Sequence, residues 1–233
     1  MENGDPFDFL NKLHNKIRNE TREKVGARYF TWSEWYSSLI DFTKAILNRT
    51  TKMDYSRCLF LNRLIEFNKL LLLLHELSVV GYYHSTIREL RYLLESALQS
   101  HYLDFNTSYS LDKKIEEARK FYGLRNLVNK MELENDVKHK IKQIYKTLSN
   151  YVHPSTKEIL SSYNDISYRV TYAFNEELFN LCVSSTNEVL DIVSFLALKG
   201  FSFLVNELKQ DSVLLKWLRK SNCELTLNEL NIS

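Results

Sequence analysis

Residues 54–105 read DYSRCLFLNRLIEFNKLLLLLHELSVVGYYHSTIRELRYLLESALQSHYLDF, and this stretch decides the fold. It opens with Asp54, a residue type that favours helix N-caps. Apolar residues then recur at alternating steps of four and three, which is the spacing of one helical face: Phe60, Leu64, Phe67, Leu71 and Leu74. Gly81 interrupts the pattern before a second apolar series of similar spacing begins. The stretch therefore predicts two long helices that form an antiparallel hairpin.

The composition indicates that the rest of the chain is helical as well. Only 5 glycines and 2 prolines occur in 233 residues, so the chain has few of the tight turns that β-sandwiches and doubly wound α/β folds require. Apolar residues make up 44% and charged residues 26%, which is typical of a globular protein and excludes a disordered chain. We predict an all-α fold, a helical bundle of about six to eight helices.

Helical spacing also predicts the elements outside the hairpin, which are 7–24, 31–48, 111–132, 136–152, 175–199, 211–220 and 224–231. At the start of the second of these, Thr31 and Glu34 have the spacing of a capping box. Gly123 is expected to break the third, and Pro154 to stop the fourth, because the residue before a proline disfavours helical backbone. Residues 166–174 fit either a short extended segment or an irregular connection.

One compact domain with three parts is expected: N-terminal helices (1–50), a helical core (51–200) and a C-terminal helical appendage (201–233) that forms a peripheral lid or a dimer contact. The amino terminus lacks the basic and apolar regions of a signal peptide. No apolar run approaches the ~20 residues needed to cross a bilayer. The three cysteines have no redox or zinc-site spacing. These features predict a cytoplasmic protein without membrane association.

Motifs of the common cofactor enzymes are missing from the sequence. It contains no glycine-rich phosphate loop, no HExxH zinc motif, no ExxH pair and no GxSxG nucleophile elbow. The sequence therefore predicts no cofactor and no metal site.

A polar stripe lies on the second helix of the predicted hairpin. Its members are separated by three or four residues: His84, Arg88, Arg91, Glu95, Gln99 and Tyr102. At about 100° per residue the stripe borders the apolar face, so its charged members are expected to be half-buried and to need partners.

The segment KTLSNYVHPS (146–155) is the second unusual element. Lys146 and His153 are seven residues apart, so they project from one face of a helix, with Ser149 and Asn150 between them. Two further lysines extend that face upstream at steps of four, Lys138 and Lys142. The spacing predicts a basic ridge that ends in a histidine able to titrate near neutral pH.

Together, STIRELRYLLES (85–96) and LSNYVHPS (148–155) resemble the divergent end of the HEPN-like helical superfamily, over roughly residues 54–155. The resemblance implies a helical bundle, often dimeric, of a kind common among metal-independent ribonucleases of toxin and defence systems. Active members carry an arginine, a spacer of four to six residues and a histidine. His153 falls where that histidine would, and Lys146 stands in for the arginine, keeping its charge but not its planar fork.

The resemblance implies a role for each candidate residue. His153 would act as acid and base with Lys146 beside the phosphate, and Ser149 or Asn150 would fix that phosphate. Arg88, Arg91, Lys138 and Lys142 would bind the RNA backbone, and Glu95 with Tyr102 would form an orienting or structural network. The implied partners are RNA, a second copy of the chain in a homodimer, and a protein antitoxin or other protein.

Two other interpretations stay open from the residues alone. In the first, the chain is a non-catalytic helical scaffold in which Arg88, Glu95 and His153 form a structural network and the C-terminal tail binds a partner. In the second, it binds a nucleotide or assists a nucleotidyl-transfer enzyme, without cleaving RNA. Exposure separates the first interpretation from the ribonuclease. An active site needs both Lys146 and His153 to line an open groove, especially at a two-fold interface, whereas a His153 buried against Glu95 or Arg88 favours the scaffold.

Overall fold

The computed structural model describes residues 6–49, 56–120, 123–152, 174–202 and 204–232. These residues form helices and no strand, which confirms the all-α prediction. The helices are α1 (Pro6–Val25), α2 (Ala27–Arg49), α3 (Leu59–Val79), α4 (Tyr83–Phe105), α5 (Leu111–Ala118), α6 (Leu124–Lys130), α7 (Asn135–Val152), α8 (Glu176–Gly200), α9 (Leu204–Leu208), α10 (Ser212–Lys220) and α11 (Glu224–Glu229).

The predicted hairpin forms the centre of the fold. α4 packs against α3 on one side and against α7 and α8 on others. The apolar positions on which the hairpin prediction depended are all buried, Phe60 and Leu71 completely so. Gly81 lies between the two helices at φ +86°, a backbone conformation that favours glycine. The predicted N-cap, Asp54, is wrong, because α3 begins at Leu59 and Cys58 takes the N-cap position.

Helix α2 begins earlier than its sequence pattern predicts. The capping box at Thr31 is wrong, because α2 starts at Ala27 and the Thr31 hydroxyl donates to the Ala27 carbonyl from inside the helix, at 3.2 Å. The true start follows Gly26, which has φ +58° and separates α2 from α1. The predicted break near Gly123 is confirmed, since α5 ends at Ala118 and α6 starts at Leu124.

Helix α8 is long and apolar, and it is a core helix. By length and composition alone it could cross a membrane, but 72% of its most apolar window is buried inside the fold. Asn175 caps its first turn, with Oδ1 accepting a hydrogen bond from the Leu178 amide at 2.9 Å. Helices α4 and α8 have many buried residues because other helices pack around them.

A buried aspartate holds the start of α3, a contact that no sequence spacing predicts. Asp104, near the end of α4, accepts hydrogen bonds from the Leu59 amide at 3.0 Å and the Phe60 amide at 2.6 Å. Its charge is balanced by Lys114 of α5 at 2.9 Å, and both side chains are over nine-tenths buried. Because Cys58, at the N-cap position, makes no side-chain cap, Asp104 supplies from another helix the acceptor that the first turn of α3 needs.

The C-terminal tail packs into the core through a second buried aspartate. Asp191 of α8 is 1% exposed, and its carboxylate accepts from the backbone amides of Leu225 and Thr226 at 3.1 and 2.9 Å. Lys140 of α7 also donates to it, at 3.3 Å. Cys223 and Leu230, on either side of α11, are almost completely buried. Residues 223–230 are therefore fixed against α8.

His101 is a buried histidine among aromatic rings. Its ring lies 4.7 Å from that of Phe105 and 5.7 Å from that of Phe60, measured between centroids. Both ring nitrogens are buried. Burial lowers the pKa of His101 to about 4, and the nearby Asp104 carboxylate opposes that shift only in part.

We predict that His101 makes the fold acid-sensitive. The unfolded chain binds a proton at His101 below about pH 6.5, while the folded protein binds it only near pH 4. The free energy of unfolding should therefore fall as the pH falls through this window, by about 3 kcal/mol from this group. Urea titrations of the parent and of His101→Leu at pH 7, 6, 5 and 4 measure this free energy. The variant should lose part of its pH dependence, and identical pH profiles would contradict the assignment of that dependence to His101.

Candidate functional site on α4 and α7

Helices α4 and α7 run antiparallel, which places the two sequence elements side by side. Arg91 of α4 contacts Tyr145 of α7, and His84, seven residues earlier, lies with its ring 6.5 Å from that of Tyr151. The start of α4 therefore lies beside the end of α7. His153 directly follows α7 in the sequence but is outside the described residues, as is Pro154.

Two members of the polar stripe form a compact internal network. Arg91 Nε donates to Glu95 Oε1 at 3.0 Å, and another of its guanidinium nitrogens donates to the Tyr145 hydroxyl at 2.9 Å. The guanidinium carbon also lies over the Tyr145 ring, 5.0 Å from its centroid. The Arg91 and Glu95 side chains are 20% and 30% exposed, as expected for a stripe that borders the core. The network adjoins a polar cavity of about 210 Å³ that Gln99 also lines.

Arg88, also a member of the stripe, is turned away from this network. The Arg88 side chain is 66% exposed, and its Nε lies 3.5 Å from its neighbour Glu89. Tyr102 is half-buried and packs against the core. The predicted Arg and Glu cluster is thus split: Arg91 with Glu95 is internal, whereas Arg88 faces solvent.

Lys138 and Lys142, the upstream part of the ridge, contact neutral groups. Lys138 donates to the Asn129 backbone carbonyl at 3.3 Å, and Lys142 donates to the Asn129 side-chain oxygen at 2.6 Å. Within the described part of the chain neither lysine lies within 4 Å of a carboxylate. Among the described residues, their contacts are therefore with amide oxygens and not with carboxylates.

Lys146 and Asn150 lie on a neighbouring face and line an open groove of about 800 Å³ between α7 and α8. The other lining residues are Asp136, His139, Lys140, Gln143, Ile144, Thr147 and Glu188. The ridge therefore turns around the helix, because residues four apart on a helix advance by about 400° and drift by about 40° per step. Its last lysine faces the groove, while its first two face α6.

Three groove residues were missed by reasoning from the sequence. His139 and Lys140 are on α7, but their position in a groove depends on where α8 packs. Glu188 comes from α8, about fifty residues away, and no sequence spacing connects it with α7. Burial raises the pKa of the Glu188 carboxyl, while Lys140 opposes the shift. The groove thus combines cationic groups with carboxylates and two amide side chains.

Ser149 is oriented within its own helix. Its hydroxyl donates to the Tyr145 carbonyl at 2.7 Å, so its remaining capacity is as an acceptor, or as a donor after rotation.

Among the described residues no group of three or more His, Cys, Asp or Glu side chains could hold a metal ion.

Comparisons with protein-family models, with curated proteins and with solved structures find no match to this chain.

We predict that Arg91 and Arg88, one turn apart on α4, contribute very differently to stability. Arg91→Ala removes a half-buried ion pair, a hydrogen bond and a ring contact, and should lower the free energy of unfolding by about 2 kcal/mol. Arg88→Ala removes one exposed pair and should change it by less than about 0.5 kcal/mol. Urea unfolding followed by circular dichroism measures both. Equal losses would contradict the internal network.

Proposed function

We propose that this protein binds RNA along α7 and is a HEPN-like, metal-independent endoribonuclease of the toxin or defence type. The observation that carries the proposal is the pair of lysines on α7, Lys138 and Lys142, which contact amide oxygens and have no carboxylate of the described residues within 4 Å. Lys146 continues the ridge to the edge of an open groove. When an ammonium group without a counter-charge of its own binds a phosphate backbone, counterions condensed on the nucleic acid are released. This release favours binding.

The basic character extends beyond α7. Helix α6 packs against α7 and presents two exposed cations, Arg125 and Lys130. They lie on the helix whose Asn129 contacts Lys138 and Lys142, so cations cluster here in a chain whose net charge is only +2. A local cluster of this kind steers polyanions with little sequence selectivity, because it contacts phosphates rather than base edges.

The proposed chemistry is general acid and base cleavage. His153, which follows α7 in the sequence, exchanges a proton with the ribose 2′-hydroxyl and then with the leaving oxygen, which yields a 2′,3′-cyclic phosphate. Lys146 stabilises the charge that develops on the phosphorane. A homodimer would bring two such sites together, as the family resemblance implies.

RNA binding should depend on the ridge and not on lysines in general. We predict that Lys142→Gln combined with Lys146→Gln weakens the binding of fluorescein-labelled single-stranded RNA roughly tenfold at about 0.1 M salt, and lowers the slope of log K against log salt by about 1.4. Fluorescence anisotropy at several salt concentrations measures both.

The matched control is Lys113→Gln combined with Lys120→Gln. These two lysines on or just after α5 already pair with Glu116 and Glu117, at 2.6 to 3.1 Å. The control removes the same charge and should leave binding and slope nearly unchanged. Equal weakening by the two double variants would show that the ridge has no special role.

Cleavage should require His153. We predict that the parent cleaves mixed cellular RNA in excess chelator and leaves 2′,3′-cyclic phosphate ends, while His153→Ala of verified helicity does not. Gel analysis of the products, with the end groups identified by mass spectrometry, measures this. If the parent binds RNA but neither protein cleaves it, the activity is binding alone. If neither protein binds or cleaves RNA and the variant melts at a lower temperature, the scaffold interpretation replaces this proposal.

A further inference from the structure

Lys140 belongs to two parts of the molecule at once. Its side chain lines the groove with Lys146, and its Nζ donates to the buried Asp191 carboxylate at 3.3 Å. The same Nζ lies 4.0 Å from the Glu224 carboxylate of α11. One ammonium group therefore connects the proposed RNA groove with the C-terminal helix.

The two carboxylates hold Lys140 with very different strength. Asp191 is 1% exposed and accepts hydrogen bonds from the start of α11, so its contact with Lys140 is shielded from water. Glu224 is 76% exposed, and its contact is long and solvated. Exposed pairs of this kind contribute little and are easily exchanged for another anion. A phosphate in the groove would therefore displace Glu224 from Lys140 before it displaced Asp191.

We propose that α11 regulates the groove, with Glu224 competing against an RNA phosphate for Lys140. When α11 is docked, the Glu224 carboxylate occupies one side of the ammonium group and repels a phosphate that approaches it. Loss of that charge leaves the solvent-facing side of the ammonium group open to a phosphate and raises the affinity for RNA, while Asp191 still holds its other side. This inference rests on the proposed RNA binding and adds its regulation.

Thermodynamic linkage requires the reverse effect as well. If docked α11 weakens RNA binding, then bound RNA weakens the docking of α11 by the same factor. The amides of Leu225 and Thr226, which donate to Asp191, report that docking directly. Their hydrogen exchange should become faster when RNA is bound.

We predict that Glu224→Gln binds single-stranded RNA roughly threefold more tightly than the parent at low salt, as expected for release of one exposed pair. The matched control is Glu229→Gln on the same helix, whose carboxylate pairs with Lys199 at 2.8 Å and does not contact Lys140. It removes the same charge and should change the affinity much less. In a Lys140→Gln background, Glu224→Gln should give no gain, which a double-mutant cycle measures.

The outcomes separate this inference from the function on which it rests. If the parent does not bind RNA, both fail. If the parent binds RNA but Glu224→Gln and Glu229→Gln tighten it equally, general electrostatics explains the effect and the competition at Lys140 is overturned. A gain that persists without Lys140, or α11 amides whose exchange RNA does not change, would also overturn it. Glu224 is exposed, so the comparison of Glu224→Gln with Glu229→Gln tests the inference even if Lys140→Gln folds poorly.

Discussion

The contact between Asp104 and Lys114 is the constraint on which the central hairpin depends. A single carboxylate near the end of α4 satisfies two amides at the start of α3, and Lys114 balances its charge from α5 while also donating to the Arg57 carbonyl at 2.9 Å. Three helices are thereby fixed at one end of the bundle. Removing one partner would leave an uncompensated charge in the interior, which costs far more than an exposed pair is worth. The position of α4, and through it that of α7, follows from this arrangement.

Asp191 repeats the same arrangement at another place in the fold. A buried carboxylate on a long helix accepts from the first amides of a short one, and a lysine from a third helix balances it. A helix as short as α11, only six residues, is not stable alone and depends on such external contacts. The difference lies in the lysine: Lys114 is buried, whereas Lys140 keeps 29% of its side chain exposed and reaches the groove. Lys114 is therefore confined to a structural role, whereas part of Lys140 is exposed to solvent in the groove.

The sequence predicted what depends on local periodicity and failed where distant residues meet. Apolar spacing located α1, α4, α7 and α8 to within a residue or two, and α3 except for its start, because each helix buries one face and that face repeats along the chain. It also predicted that Arg91 and Glu95 would be half-buried at the border of the core. It could not predict that Asp104 caps α3 or that Glu188 faces α7, since these contacts join residues that no periodicity connects. The capping box at Thr31 failed for a related reason: a Ser or Thr in the first turns of a helix can bond back to the preceding turn as readily as it can cap.

The polar side chains of α7 differ in the groups that they contact. Lys140 is held by carboxylates, and the Tyr145 hydroxyl is bound to the Arg91 guanidinium, so these groups are matched within the fold. Lys138 and Lys142 are hydrogen-bonded to amide oxygens, which fixes their direction without cancelling their charge. A lysine needed only for stability gains more from a carboxylate than from an amide. Among the described residues these two lysines have a fixed direction and no carboxylate within 4 Å, which supports the proposal that an extended anion such as a nucleic-acid backbone binds along α7.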